Sequence, residues 1–115
     1  MNLKPENLLF DSQYNLLISN FGHSRKNPSN QQKRYPVGTK GYQAPEIVTG
    51  RGTYNGYQAD IFSLGVILFF MVSYEFPFQE AKNSDPEFKD LVNNKERFWR
   101  SQAKKIEGGE LFFNA

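Results

Sequence analysis

The sequence predicts a mainly α-helical fold with one small β-hairpin. Of the 115 residues, 38% are apolar and 16% aromatic, which is enough to build a packed core rather than a disordered chain. Two short apolar runs lie near the N-terminus, and longer helix-type patterns fill the second half of the chain. This length corresponds to one small domain or to part of a larger one.

Composition excludes several classes of function. The chain has no cysteine and a single histidine, so we expect neither disulfides nor a zinc site. A net charge of +2 is too small to indicate nucleic-acid binding. The N-terminus lacks the apolar stretch of a signal peptide. The longest apolar run, residues 61–72, is shorter than the roughly 17 to 25 residues of a membrane span. We therefore predict a cytoplasmic protein that does not contact a membrane.

The hairpin is predicted from residues 8–10 and 16–18, two apolar runs on either side of the turn-forming residues 11–15. Strands this short need support from a larger structure. Residues 23–37 are almost entirely polar, and we predict a mobile loop without secondary structure there. Residues 44–48 could form a short helix that Gly50 and Gly52 close.

The longest predicted helix opens at Asp60, and Pro77 ends this segment. Its apolar residues point in every direction, so we expect other elements to surround it. Asp85 and Pro86 form a cap and a first-turn proline, and they begin an amphipathic helix. That helix would place Phe88, Leu91 and Val92 on one face, and the later pair Phe98 and Trp99 is expected to pack in the core.

Four motifs occur in a fixed order. They are LKPENLL at residues 3–9, NFG at 20–22, GTKGYQAPE at 38–46 and DIFSLG at 60–65. Together they resemble the signatures of protein kinases, in the serine/threonine branch and nearest to the calcium/calmodulin-dependent and AMP-activated types. The resemblance implies that residues 1–115 form an incomplete, protein-kinase-like C-terminal lobe with an activation-segment-like loop at 23–37. It also implies ATP and Mg²⁺ as cofactors and phosphoryl transfer to protein serine or threonine.

The same resemblance assigns roles to catalytic-loop residues. Asn2 replaces the aspartate that acts as general base, and Lys4 is the cation expected near the transferred phosphate. Asn7 keeps a metal-ligand position beside ATP, although in this chain we expect its amide to bond nearby backbone instead. Asn20 replaces the second metal-binding residue, an aspartate. Thr39 supports the catalytic loop, and with Asn2 opposite it we expect a structural hydrogen bond.

Glu46 and Asp60 have structural roles by the same resemblance. Asp60 would hold the backbone of the catalytic loop from the long helix. Glu46 pairs in the family with an arginine of a later helix, and without that arginine we expect it to turn toward water or to find a local cation. The family's glycine-rich loop and ATP-anchoring lysine precede the position of Met1. We therefore expect half of the ATP cleft to be absent from this chain.

Three functional hypotheses remain open. The chain could be a non-catalytic, pseudokinase-like module that binds proteins, a piece of a longer and divergent kinase, or a non-functional truncated gene product. The two asparagines predict no phosphotransfer by the chain as given. Ser24 and Ser29 are candidate phosphorylation sites, although serine is common in polar loops. The sequence identifies neither the protein partner nor the substrate.

Overall fold

The computed structural model describes residues 2–21, 32–33, 38–50 and 53–105. A short 3-10 turn at Pro5–Asn7 leads into the first strands. The strands are β1 (Leu8–Phe10), β2 (Leu16–Ile18), β3 (Gln32–Lys33) and β4 (Tyr54–Asn55). The helices are α1 (Pro45–Val48), α2 (Gly56–Ser73), α3 (Pro86–Asn93) and α4 (Lys95–Lys105). The predicted fold class, mainly α with one small hairpin, is confirmed.

The predicted hairpin forms between β1 and β2, which are antiparallel with Leu8 opposite Ile18. Its turn is organised by Asp11, whose Oδ1 accepts hydrogen bonds of 2.8 Å from the backbone N–H groups of Gln13 and Asn15. The Asn15 side chain donates to the other carboxylate oxygen at 3.0 Å, and this bond is the main reason that the pKa of Asp11 is lowered. A side chain bonded to its own turn is the mechanism by which aspartate favours turns.

The loop prediction for residues 23–37 is wrong at two positions. Gln32 and Lys33 form β3, which pairs antiparallel with β4 in the register Gln32 to Asn55 and Lys33 to Tyr54. The partner strand lies about twenty residues further along the chain, so local composition could not reveal the pairing. Residues 23–31 and 34–37, which include Ser24 and Ser29, lie outside the described residues.

Both predicted ends of the long helix are corrected. Helix α2 begins at Gly56, four residues before Asp60, because the Asn55 side chain accepts hydrogen bonds from the backbone N–H groups of Tyr57 and Gln58. Asparagine is among the preferred N-cap residues. The helix ends at Ser73, before Pro77, since Tyr74 adopts a left-handed conformation with φ of 60°.

The main core lies along one side of α2. Val66 and Ile67 are each less than 5% exposed and cluster with Leu3, Tyr42, Phe78, Ala81 and Phe88. The rings of Phe78 and Phe88 meet edge to face with their centroids 5.2 Å apart, a favoured aromatic geometry. Leu3 belongs to this cluster, so the core supports the segment that precedes the 3-10 turn.

The other side of α2 is exposed, contrary to the expectation that other elements surround the helix. Five of its apolar side chains are at least 44% exposed within the described part of the chain: Ile61, Leu64, Leu68, Met71 and Val72. At 18 residues, α2 is also longer than the apolar run suggested, and its length and composition suffice to cross a membrane. Core helices of soluble proteins meet the same criterion, so this feature alone does not indicate a membrane span.

Helices α3 and α4 contact each other, and both pack against α2 through Phe88 and Phe98. Asp85 caps α3 as predicted, and Phe88 is buried while Leu91 is half-buried. Val92 lies on the same helix face but is 54% exposed, so the core covers only part of this face. The predicted core position of Phe98 is confirmed: it is 2% exposed and lies against Phe69 of α2.

Gln102 of α4 is 1% exposed, and neither of its side-chain polar atoms has a hydrogen-bond partner among the residues that the structure describes. A buried polar group without a partner costs about 1–3 kcal/mol. We therefore expect Gln102→Met, which keeps length and helix propensity, to raise the free energy of unfolding in urea by about 1–2 kcal/mol. Gln58→Met, on an exposed position of α2, is the matched control and should change it by less than about 0.5 kcal/mol. Destabilisation by Gln102→Met alone would show that the amide has a partner, such as a buried water.

Candidate functional site

Asn2 lies buried just before the 3-10 turn, with 8% of its side chain exposed. Its Oδ1 accepts a hydrogen bond of 2.8 Å from the Thr39 hydroxyl, 37 residues further along the chain. This is the hydrogen bond that the sequence predicted between the two residues. It joins the loop at residues 2–7 to the segment at residues 38–43.

Asn7 closes the loop on itself. Its side-chain Nδ2 donates to the backbone oxygen of Asn2 at 2.7 Å, and its backbone N–H donates to the Lys4 oxygen at 2.9 Å. The residue is 5% exposed, so these bonds satisfy polar groups that water barely reaches. The Asn7 amide therefore acts as a structural tie across the loop.

Asn20 is brought near this loop by its neighbour. The backbone N–H and the hydroxyl of Ser19 both donate to the Asn7 oxygen, at 2.8 Å and 3.2 Å. Asn20 follows directly, exposed and with a positive φ of 59°. Asparagine is enriched in this left-handed conformation. The base of the hairpin thus places Asn20 one residue beyond a direct partner of Asn7.

The segment at residues 38–43 is fixed to α2 and to the loop after it. The Ser63 hydroxyl donates to the Tyr42 backbone oxygen at 2.7 Å, and the Tyr42 ring meets Phe76 edge to face at 5.2 Å. Gly41 has φ of 94°, and a Cβ there would lie 3.3 Å from the Phe76 ring. A glycine is required at this turn both by its backbone conformation and by the close ring.

An ion cluster reinforces the same junction. Glu80 pairs with Lys40 at 3.2 Å and with Lys82 at 2.5 Å. The hydrogen bond from Lys82, followed by that from Lys40, lowers the pKa of Glu80. Because this pKa is lower in the folded protein, the stabilisation is present at neutral pH and is lost as the pH falls through the lowered value.

A small cavity of about 10 Å³ lies between the loop at residues 2–7, the segment at residues 38–43 and helix α2. It has room for about one water molecule. Asn2, Thr39 and Asp60 are among the residues that line it. Asp60 is half-buried, and its charge adds to burial in raising the pKa of Tyr54. The structure therefore brings Asp60 to the same cavity as the catalytic-loop residues.

Lys4 and Glu46 are not part of this hydrogen-bonded group. Lys4 is half-buried, and its side chain forms no ion pair with any residue that the structure describes. Glu46 is half-buried in the first turn of α1, where a negative charge suits the helix dipole. Within the described ranges it has no basic partner, and it is not fully exposed either.

Comparison with known proteins shows which family this chain belongs to. The family model described as the protein kinase domain matches residues 1–109. The chain belongs to the protein kinase family. Among similar kinases, CBL-interacting serine/threonine-protein kinase 15 of Arabidopsis thaliana is 43% identical over 83 residues, covering 70% of this chain and 20% of the relative.

Two further kinases show the same similarity. The probable serine/threonine-protein kinase KCC4 of Saccharomyces cerevisiae is 43% identical over 83 residues, covering 72% of this chain and 8% of its own length. CBL-interacting protein kinase 15 of Oryza sativa is 46% identical over 81 residues, covering 68% of this chain and 18% of its own length. The chain thus spans a fifth or less of the length of these relatives.

The residues at the kinase metal positions do not fit a magnesium-bound nucleotide. Asn7 and Asn20 both offer neutral amides, and neither position supplies a carboxylate. The Asn7 Nδ2 donates to the Asn2 backbone oxygen, which leaves only the Asn7 Oδ1 as a possible metal ligand. Mg²⁺ favours carboxylate oxygens. Across the part of the chain that the structure describes, no group of three His, Cys, Asp or Glu side chains could hold a metal ion. We therefore derive no chemical step through Mg²⁺ or ATP.

Sequence reasoning missed three supports of this site. These are the Ser19 bonds to Asn7, the Ser63 bond to Tyr42 and the Glu80 ion cluster. Ser63 gave one signal that could have been used: a serine inside a strongly apolar helix has to bond a carbonyl if it is buried. The other two depend on contacts between segments that no local pattern predicts.

Proposed function

We propose that this chain is a kinase lobe that does not transfer phosphate and that keeps its catalytic loop as a structural element. One observation carries the proposal. Asn2, at the position of the general base, is buried and accepts two hydrogen bonds. The Thr39 hydroxyl donates to its side-chain oxygen, and the Asn7 side chain donates to its backbone oxygen. These two hydrogen bonds hold the loop through neutral groups.

The chemistry of the amide supports this proposal. A general base has to accept a proton from the attacking hydroxyl, and the amide of Asn2 cannot do so at neutral pH. Losing such a base typically costs about 10² to 10⁴ in rate. Phosphoryl transfer otherwise depends on positioned charge around the phosphates. The amides at Asn7 and Asn20 add no negative charge to hold a metal ion there.

A second candidate function is ATP-dependent phosphorylation of protein serine or threonine. It is favoured by the names of two of the relatives, which are serine/threonine-protein kinases at 43% identity. Lys4 and Thr39 retain the residue types of that activity. The two candidates differ in one measurable property, which is whether Mg·ATP binds and reacts.

The test compares thermal unfolding of the purified chain with and without Mg·ATP, together with transfer of labelled γ-phosphate to casein. We expect the native chain to show neither a Mg²⁺-dependent shift nor label transfer. The double variant Asn2→Asp, Asn20→Asp restores two carboxylates and is expected to gain the Mg²⁺-dependent shift.

The matched control is Asn83→Asp, Asn93→Asp, which adds the same two charges at exposed positions. It should behave as the native chain. Label transfer by the native chain would overturn the proposal and favour the second candidate. A restored variant that responds no more than the control would show that these two positions are not the cause of the loss.

A further inference from the structure

An apolar groove lies between α2, α3 and α4, with a volume of about 260 Å³. Five aromatic rings contribute to its lining: Phe62, Phe69, Phe78, Phe98 and Trp99. Aromatic side chains are enriched in the pockets that hold binding hot spots. Small-molecule sites usually measure about 300 to 1,000 Å³, so this groove suits one or two large side chains better than a whole cofactor.

Gly65 opens the groove. It lines the wall that α2 provides and is exposed, and a Cβ built at this position would meet no atom within 4 Å. A glycine in a helix interior costs about 1 kcal/mol relative to alanine. The open space therefore exists because a side chain is missing at a position that could accommodate one.

The helices beside the groove carry an excess of positive charge. Residues 86–105 contain six lysines and arginines but three acidic residues, whereas the whole chain has a net charge of +2. Two of those acids, Asp90 and Glu96, already pair with Arg97 and Arg100. The remaining excess is carried by lysines.

One of these lysines begins α4, in the turn before the two residues of that helix that line the groove. Lys95 lies three residues before Phe98 and four before Trp99, a spacing that puts all three on one helix face. Lys95 is exposed and makes no ion pair with the residues that the structure describes. The groove thus combines an apolar interior with a free cation one helical turn from its aromatic wall.

We propose that this groove binds an acidic segment of a protein partner, which inserts a leucine or aromatic side chain and pairs a carboxylate with Lys95. Charge complementarity favours an acidic segment over a basic one, because basic residues outnumber acids two to one on the flanking helices. None of the side chains in the groove lines the cavity beside Asn2. The proposal is therefore independent of whether the chain transfers phosphate.

Trp99 is the single tryptophan of the chain and reports on the groove directly. The probe is a short fluorescein-labelled peptide with a central Leu-Phe pair flanked by aspartates, titrated with the full chain by anisotropy in the absence of nucleotide. An unlabelled copy is used to follow the emission of Trp99. We expect the acidic peptide to bind and to shift this emission, and a counterpart with lysines in place of the aspartates to bind at least about tenfold more weakly.

Two variants with matched controls locate the binding. Gly65→Leu fills the groove and should weaken binding at least about tenfold while Tm stays equal or rises. Its control is Met71→Phe, which adds bulk on the opposite face of α2. Lys95→Glu should weaken binding by about five- to tenfold. Lys104→Glu makes the same charge change on another face of α4 and should alter it less than about twofold.

Several outcomes would overturn the proposal. Equal binding of the acidic and basic peptides would remove the charge argument, and full binding by Gly65→Leu would place the contact elsewhere. Self-association of the native chain that Gly65→Leu abolishes would assign the groove to a second copy. Peptide binding that appears only after deletion of residues 106–115 would assign it to the chain's own last residues. Each of these results leaves the Mg·ATP experiment unaffected.

Discussion

Replacing Phe98 with alanine is expected to lower the free energy of unfolding by about 3–5 kcal/mol. The side chain is 2% exposed and contacts the rings of Phe69 and Trp99, with centroids 6.3 and 5.2 Å away. Truncation loses the transfer free energy of the ring and leaves a cavity between α4 and α2. Since a small domain is stable by only about 5–15 kcal/mol, this one change removes a large share of the total.

Urea denaturation followed by far-UV circular dichroism measures the effect without depending on Trp99. The matched control is Phe10→Ala in β1, where the same side chain is 68% exposed. We expect that control to change the free energy of unfolding by less than about 0.5 kcal/mol. Similar losses at both positions would contradict the packing of α4 on α2.

Asp85→Ala is expected to cost about 2–4 kcal/mol, because one carboxylate accepts four backbone hydrogen bonds. Oδ1 caps α3 through the N–H groups of Glu87 and Phe88, at 3.0 and 3.2 Å. Oδ2 accepts from Gln79 and Glu80, at 2.9 and 3.0 Å. Asp85 therefore links the start of α3 to the loop that carries Glu80, and through Glu80 to Lys40 beside the candidate site.

Chemical denaturation of three variants tests this role. Asp85→Asn keeps one acceptor oxygen and should lose about half as much stability as Asp85→Ala. Glu96→Ala removes an exposed carboxylate that pairs with Arg100, and it should cost less than about 1 kcal/mol. A cost for Asp85→Ala no greater than that of Glu96→Ala would show that the four bonds contribute little.

Local chemistry was sufficient for several elements. The hairpin was predicted because Asp11 and Asn15 bond within their own turn, so the signal and the structure occupy the same few residues. The start of α3 was predicted for the same reason, since Asp85 and Pro86 act on the turn that follows them. Motif order was sufficient to predict the kinase family and the pairing of Thr39 with Asn2.

Errors arose where distant segments decide the outcome. The pairing of β3 with β4 depends on two segments that only the fold brings together. The start of α2 was placed at Asp60 by the apolar pattern, although Asn55 competes earlier as a cap. The predicted burial of α2 is too high. An apolar composition indicates that a helix packs against other elements, but it does not show which faces of the helix they cover.

The family, the residue types at the catalytic positions and the local turns and caps can be predicted from the linear chain, since each depends on residues close together in it. The hydrogen bonds that join Asn2, Asn7 and Thr39 become visible only in the folded structure. The same holds for the aromatic groove that Gly65 lines. Hydrogen-bond partners and open space between helices depend on distances across the fold, which a linear pattern does not contain.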